Sequence, residues 1–134
     1  MLKPGERTLY TEALVPPAGY RLDLALATTY TMDLTTLLSV PLHLVLHSTE
    51  NYQELLGDPV ALYESLQRAS SRVMVFAQKG GIHVPHGDHL LFGLLEPMIF
   101  EVAAPGGGAF HPKLWLLRFE NEESTSVLYR LLIS

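Results

Sequence analysis

Four short apolar runs, separated by turn-forming residues, constrain the fold of this chain more than any other feature of its sequence. Residues 73–78 and 98–103 have the length and composition of buried strands. Residues 110–120 and 124–134 form two longer extended runs around a polar stretch at 121–123, which predicts a β-hairpin. A sheet that ends in a hairpin is therefore expected.

An earlier strand is predicted over residues 20–30. Leu22, Leu24 and Leu26 alternate with more polar residues there, and alternate residues of a strand share one face. We therefore expect these three leucines to face the core.

The segments between the strands carry helix signals. Asp33 is a suitable N-cap for the mostly apolar run at 34–47, which we interpret as one helix. Because Pro41 interrupts that run, a helix to Ser39 followed by a strand from Pro41 is the alternative. Asp58 and Pro59 predict a further helix to about residue 69, because Asp caps helices and Pro favours their first turn.

Another short helix is predicted over residues 89–95, ending before Pro97. Strands and helices thus alternate before the chain closes with its hairpin. This order predicts an α/β fold, a mixed β-sheet flanked by helices.

The composition fits a single domain that has a substantial core. The 134 residues are 48% hydrophobic and contain no cysteine, which excludes disulfides and thiolate metal sites. Only 17% are charged, against about 25% in an average domain, so we expect another domain or a second copy to cover part of the surface. The net charge of −5 and the lack of a basic run give no footprint of nucleic-acid binding.

No run is long and apolar enough to span a bilayer, and the first residues lack the apolar core of a secretory signal. A cytoplasmic location is therefore expected.

The strongest functional signal is the pair His111 and Lys113 at the start of an apolar run. If these residues belong to a strand, their side chains stand on one face, two residues apart. Three glycines at 106–108 precede the pair and allow a ligand to approach the backbone. A neutral imidazole can attack phosphorus, and a lysine ammonium can offset charge on the phosphoryl oxygens.

These residues resemble the phospholipase D-like superfamily of phosphodiesterases, whose motif is H-x-K-x4-D followed by a strand that ends in a small polar segment. His111-Pro112-Lys113 matches the start of the motif, and residues 129–134 resemble the following strand, with Ser134 opening the polar segment. Residues 27–33, which follow the first strand, also resemble the opening of bacterial members of this superfamily. The resemblance implies that residues 1–134 are one phospholipase D-like half-domain, the N-terminal part of a longer protein.

The resemblance also implies roles for individual residues. His111 would be the nucleophile or its acid/base counterpart, Lys113 would bind phosphate oxygens, and no cofactor or metal would be needed. Gly107, Gly108 and Ser134 would border the substrate. The expected substrate is a phosphodiester of lipid, DNA or RNA, so a nuclease is included.

Two departures from the family pattern bear on activity. The motif's aspartate would fall at position 118, which is Arg118. The family uses two such histidines, one nucleophile and one general acid, and this chain has one motif. We therefore expect the second histidine from another half-domain or a homodimer mate. The alternative is a non-catalytic interaction or scaffold domain that carries a degenerate motif.

Two other histidine groups are candidate metal sites. His83, His86 and His89 lie close together with Asp88, but their spacing matches no closed structural zinc site, so a polar loop is the favoured interpretation. His43 and His47 have helical spacing but lack the glutamate of the H-E-x-x-H motif, which favours core or interface histidines.

Overall fold

The structure is a computed structural model that describes residues 12–49, 51–83 and 90–133. Within these ranges the strands are β1 Tyr20–Thr29, β2 Met32–Asp33, β3 Val73–Gln78, β4 Ile82–His83, β5 Ile99–Val102, β6 Leu114–Asn121 and β7 Val127–Ile133. The helices are α1 Leu34–Ser48, α2 Tyr52–Leu56, α3 Pro59–Ser70 and α4 Leu90–Gly93. Short 3-10 turns lie at Glu96–Met98 and Pro105–Gly107.

Five of the strands form one mixed sheet in the order β5-β3-β1-β6-β7. β1, β3 and β5 run parallel, whereas β6 is antiparallel to β1 and β7 is antiparallel to β6. The predicted α/β class, with a mixed sheet flanked by helices and a closing hairpin, is confirmed. The carboxyl ends of β1, β3 and β5 therefore lie at the same edge of the sheet as the start of β6 and the end of β7.

Helix α1 runs through Pro41, so the alternative of a strand from Pro41 is wrong. Asp33 caps the helix, and its side chain accepts a hydrogen bond from the Thr35 backbone N–H at 2.9 Å. Leu34 and Leu37 have helical spacing and are buried against the sheet, which offsets the backbone hydrogen bond that a proline cannot donate. Helix α3 is also capped as predicted, since Asp58 accepts from the Ala61 N–H at 3.2 Å.

Other predicted segments lie close to the observed ones, with shifted ends. The helix predicted at 89–95 is the single turn α4, followed by a 3-10 turn that contains Pro97, and the strand predicted at 98–103 is β5. Helix α2, strand β2 and the parallel pairing of β2 with β4 were not predicted. None of the helices in the described ranges is long and apolar enough to cross a membrane.

The predicted inward face of β1 is wrong beyond Leu22. On β6 the neighbours Phe119 and Arg118 oppose Leu22 and Leu24, so Asp23 is an extra residue on β1 and forms a β-bulge. The bulge reverses which residues point inward. Ala25 and Ala27 are therefore fully buried, at 0% and 1% exposure.

One face of the sheet packs on α1 and forms the core. Its buried residues come from three adjacent strands: Leu22, Ala25 and Ala27 of β1, Val73 and Val75 of β3, and Leu117 and Phe119 of β6. They pack against Leu34, Leu37 and Val40 of α1. Helix α3 adds a second layer through Leu66, which packs with Val45 and Leu94.

The opposite face of the sheet, named here the open face, is also apolar. By strand register its apolar side chains are Leu24, Leu26, Met74, Phe76, Phe100, Val102, Leu114, Leu116, Val127, Leu131 and Ile133. None of them is buried, and Leu131 and Ile133 are 56% and 77% exposed. Parallel strands are usually covered on both faces, and β1, β3 and β5 carry apolar side chains on both of theirs.

Candidate functional site

The segment that carries His111 and Lys113 lies at the edge where β1 and β3 end. Its conformation is irregular over residues 108–113, and β6 begins only at Leu114. The expectation that His111 and Lys113 belong to a strand and share its face is therefore wrong. Pro112 has no N–H to add to a strand ladder, which is consistent with the late start of β6.

Two side chains from the ends of neighbouring strands hold this segment in place. The Thr28 hydroxyl of β1 donates to the Pro112 carbonyl at 3.0 Å and accepts from the Leu114 N–H at 3.2 Å. The Gln78 side-chain oxygen of β3 accepts from the Phe110 N–H at 2.6 Å. All three bonds use the backbone of the segment, so the side chains of His111 and Lys113 are not needed to anchor it.

The imidazole of His111 stacks on Tyr30, the residue that follows β1. The ring centroids are 4.8 Å apart and the planes differ by 28°. His111 and Lys113 are both exposed, and neither forms an ion pair with a described residue. The site therefore presents one imidazole, oriented by an aromatic ring, and one ammonium to solvent.

Thr28, Tyr30 and Gln78 were not singled out in the sequence. Each lies where a parallel strand ends, and ligand sites of α/β sheets form beyond the carboxyl ends of parallel strands. A polar or aromatic residue at the end of an apolar run was the available signal. The sequence does not show that these three positions meet residues 110–114, which are more than 30 positions away.

Backbone conformation explains two of the three glycines at 106–108. Gly106 and Gly107 have φ values of 71° and 75°, in the left-handed region that favours glycine, and Gly108 does not. All three are exposed. The substrate-binding role expected of Gly107 and Gly108 remains a prediction, whereas the turn itself accounts for two of the three glycines.

Arg118, at the position of the motif aspartate, belongs to a different contact. Its Nη2 lies 2.5 Å and its Nε 2.6 Å from the Oδ2 atom of Asp23 in the β1 bulge. Hydrogen bonds to Asp23 and Tyr129 raise the pKa of Arg118 above its ordinary value. The guanidinium therefore joins two strands near the open face, and it lies five residues along the chain from Lys113.

Ser134, expected to border the substrate, lies outside the described residues. The end of β7 is described, and Ile133 pairs with Leu114. The hairpin register thus places the carboxyl end of β7 beside the first residue of β6, next to the anchored segment.

The structure describes the two histidine groups only in part. His83 is exposed in β4, and His86 and His89 lie outside the described residues. Within the described part of the chain, no group of three or more His, Cys, Asp or Glu residues could hold a metal ion. His43 and His47 lie on one helical face as predicted, with ring centroids 4.3 Å apart.

Comparison with known proteins adds no relative to this description. No protein-family model matches the chain, and neither a curated protein nor a solved structure matches it significantly.

Proposed function

We propose that this chain is a phosphodiester-handling domain of the phospholipase D-like type, with His111 as the nucleophile and Lys113 as the phosphate-binding cation. The observation that carries the proposal is the anchoring of residues 110–114 through their backbone alone. That anchoring leaves an imidazole and an ammonium exposed two residues apart, at the sheet edge where α/β proteins bind ligands.

The chemistry needs a second histidine. A nitrogen of His111 attacks phosphorus and forms a P–N bond while the bond to the leaving alcohol breaks. The departing oxygen takes a proton from a general acid, which in this family is the second histidine. Water then attacks the phosphohistidine, the second histidine accepts a proton from that water, and His111 is released. Throughout, Lys113 offsets charge on the non-bridging oxygens.

Hydrolysis of bis(p-nitrophenyl) phosphate tests this function. If a second copy supplies the acid, the rate per chain rises with protein concentration. His111→Ala should lower the rate roughly a thousandfold or more, as loss of a nucleophile does. Lys113→Ala should lower it about 100- to 1,000-fold, the cost of losing one charge-stabilising donor.

His47→Ala is the matched control, because it removes an exposed histidine at the far end of α1 and should leave the rate unchanged. An acid-labile phosphohistidine should form on wild-type protein and not on His111→Ala. Equal inactivity of wild type and His111→Ala, with no phosphohistidine on either, would reject catalysis by this chain.

A non-catalytic interaction domain is the second candidate, and the open face favours it. Five strands about 4.8 Å apart, with roughly seven residues each rising about 3.3 Å, present a face of about 500 Å². This geometric footprint includes some polar positions and is smaller than the roughly 800 Å² that each partner of a stable complex buries, but it is comparable with the largest apolar patches of monomers, about 300–600 Å².

A second copy of the chain is the occupant that the charges favour. The described charged side chains near this face are paired within the chain, Arg118 with Asp23 and Arg21 with Glu120. Two open faces would therefore meet without strong repulsion, although each chain carries a net charge of −5. Two packed sheets lie about 10 Å apart, which allows the leucines and phenylalanines of the two open faces to interdigitate.

Sedimentation analysis across a range of concentrations tests self-association. Wild type should dimerise, and Leu116→Glu and Leu131→Glu on the open face should stay monomeric. Leu56→Glu is the matched control, because Leu56 is 52% exposed on α2, away from this face. A wild-type chain that stays monomeric at every concentration would exclude the second copy as the occupant.

A further inference from the structure

A cleft lies at the edge of the sheet opposite to the one that carries His111. It has a volume of about 490 Å³, within the range of about 300–1,000 Å³ that small-molecule sites occupy. The start of β1, the second half of α1 and the end of α3 form its walls. Arg21 in this cleft and Thr28 at the candidate site are seven residues apart on one strand, or about 23 Å.

The cleft concentrates positive charge in an acidic protein. Arg21, Arg68 and Arg72 line it together with His43 and His47, and none of the lining residues within the described ranges is acidic. The chain holds 9 Lys and Arg against 14 Asp and Glu, so one third of its formal cations line one cleft. Arginine is the residue best suited to bind phosphate, because its planar fork can donate two hydrogen bonds at once.

Carboxylates nearby neutralise these arginines unequally. Arg21 is held by Glu120 at 2.9 Å. The nearest oxygen of Asp23 is 3.9 Å from Arg72, and the other oxygen of that carboxylate is engaged by Arg118 at 2.5 Å. Arg72 therefore shares its counter-ion with a closer competitor.

Arg68 forms no ion pair with a described carboxylate, and its Nη2 donates to the Ser65 hydroxyl at 3.2 Å. Arg68 lies in the last turn of α3, and Arg72 follows two residues after the helix ends. A helix carboxyl end carries roughly half a negative charge, which offsets only part of two guanidinium charges. Positive charge therefore remains beside the cleft.

Apolar side chains complete the cleft. Leu14, Leu22 and Val45 line it and are buried, at 2%, 8% and 4% exposure. Such a wall excludes water from one side of a ligand and contributes through apolar contact. A ligand that matches both walls has an anionic group at one end and an apolar body at the other.

We infer that this cleft binds a phosphorylated organic molecule, with its phosphate against Arg68 and Arg72 and its apolar part against Leu22 and Val45. The inference does not depend on the function proposed for His111. It identifies a second anion site at the amino-terminal edge of the sheet.

Isothermal titration with phenyl phosphate tests the inference. Wild type should bind it, and the double variant Arg68→Ala/Arg72→Ala should bind at least tenfold more weakly. Lys79→Ala is the control for charge, because it removes an exposed cation from the turn after β3 and should leave the affinity unchanged. Both arginines are exposed, so the variant is expected to fold, and circular dichroism checks that.

Inorganic phosphate, titrated in parallel, tests the apolar wall. It should bind at least fivefold more weakly than phenyl phosphate, and equal affinities would overturn the role of Leu22 and Val45. Unchanged affinity in the double arginine variant would overturn the site. If Lys113→Ala alone abolished binding, the phosphate would occupy the His111 site, which would support the proposed function and reject this inference.

Discussion

Thr28→Val tests whether one hydroxyl holds the candidate site in place. Valine has nearly the same shape, so the change removes the hydroxyl that donates to the Pro112 carbonyl at 3.0 Å and accepts from the Leu114 N–H at 3.2 Å. The variant therefore loses two hydrogen bonds that bridge the end of β1 and the start of β6.

The expected cost follows from the number and exposure of these bonds. Each bond contributes about 0.5–1.5 kcal/mol net to stability, and the exposed Pro112 carbonyl can accept a hydrogen bond from water instead. We therefore expect the free energy of unfolding to fall by about 1–2 kcal/mol in total. With a urea dependence of about 2 kcal/mol per molar, the unfolding midpoint should fall by roughly 0.5–1 M at unchanged slope.

Urea unfolding followed by circular dichroism measures this shift, with two controls. Thr28→Ser keeps the hydroxyl and should lose less stability than Thr28→Val. Thr29→Val removes a hydroxyl whose described bond is local, to the Thr31 carbonyl at 2.7 Å, so it leaves the His111 segment anchored. The NMR signals of the His111 ring should shift in Thr28→Val and stay in place in Thr29→Val. A Thr28→Val protein with wild-type stability and an unchanged His111 signal would refute the anchoring argument.

Two further substitutions test the packing around the site and in the core. Gly81→Ala would place a Cβ 2.2 Å from the Tyr30 carbonyl oxygen, so we expect it to destabilise the fold by several kcal/mol. Gly93→Ala is the control, because its Cβ meets no atom of a described residue within 4 Å and the change should be neutral or slightly stabilising; thermal melts of both variants measure the difference. Phe119→Ala removes a side chain that is 1% exposed and should lower the free energy of unfolding in urea by about 3–5 kcal/mol. Leu131→Ala removes a side chain that is 56% exposed and should lower it by less than about 1 kcal/mol; equal costs would contradict the assignment of the two sheet faces.

Local signals predicted most of the elements. Asp33 and Asp58 mark the starts of two helices because a capping side chain acts on N–H groups two or three residues away. The polar residues between the last two apolar runs predicted the hairpin, because a turn is also specified by residues that are adjacent in the chain. Helix α2 was missed, although Asn51 caps it through the Glu54 N–H, because its five residues are too short to show a helical period.

Nonlocal contacts escaped prediction. The bulge at Asp23 reverses the inward side of β1, and a shift of one residue exchanges the two faces of a strand. Arg118 was noted only as a missing aspartate, because its partner Asp23 lies 95 positions earlier in the chain.

The sequence by itself determined the presence of the apolar strands, the helix starts, the closing hairpin, and one histidine and one lysine two residues apart. These are local properties of neighbouring residues. Only the tertiary structure decided that Thr28 and Gln78 anchor the His111 segment, that Tyr30 stacks on its ring, and that one apolar sheet face is covered while the other is open. A strand that is apolar on both faces does not indicate which face is covered. Strand order and register decide that, and both depend on residues far apart in the chain.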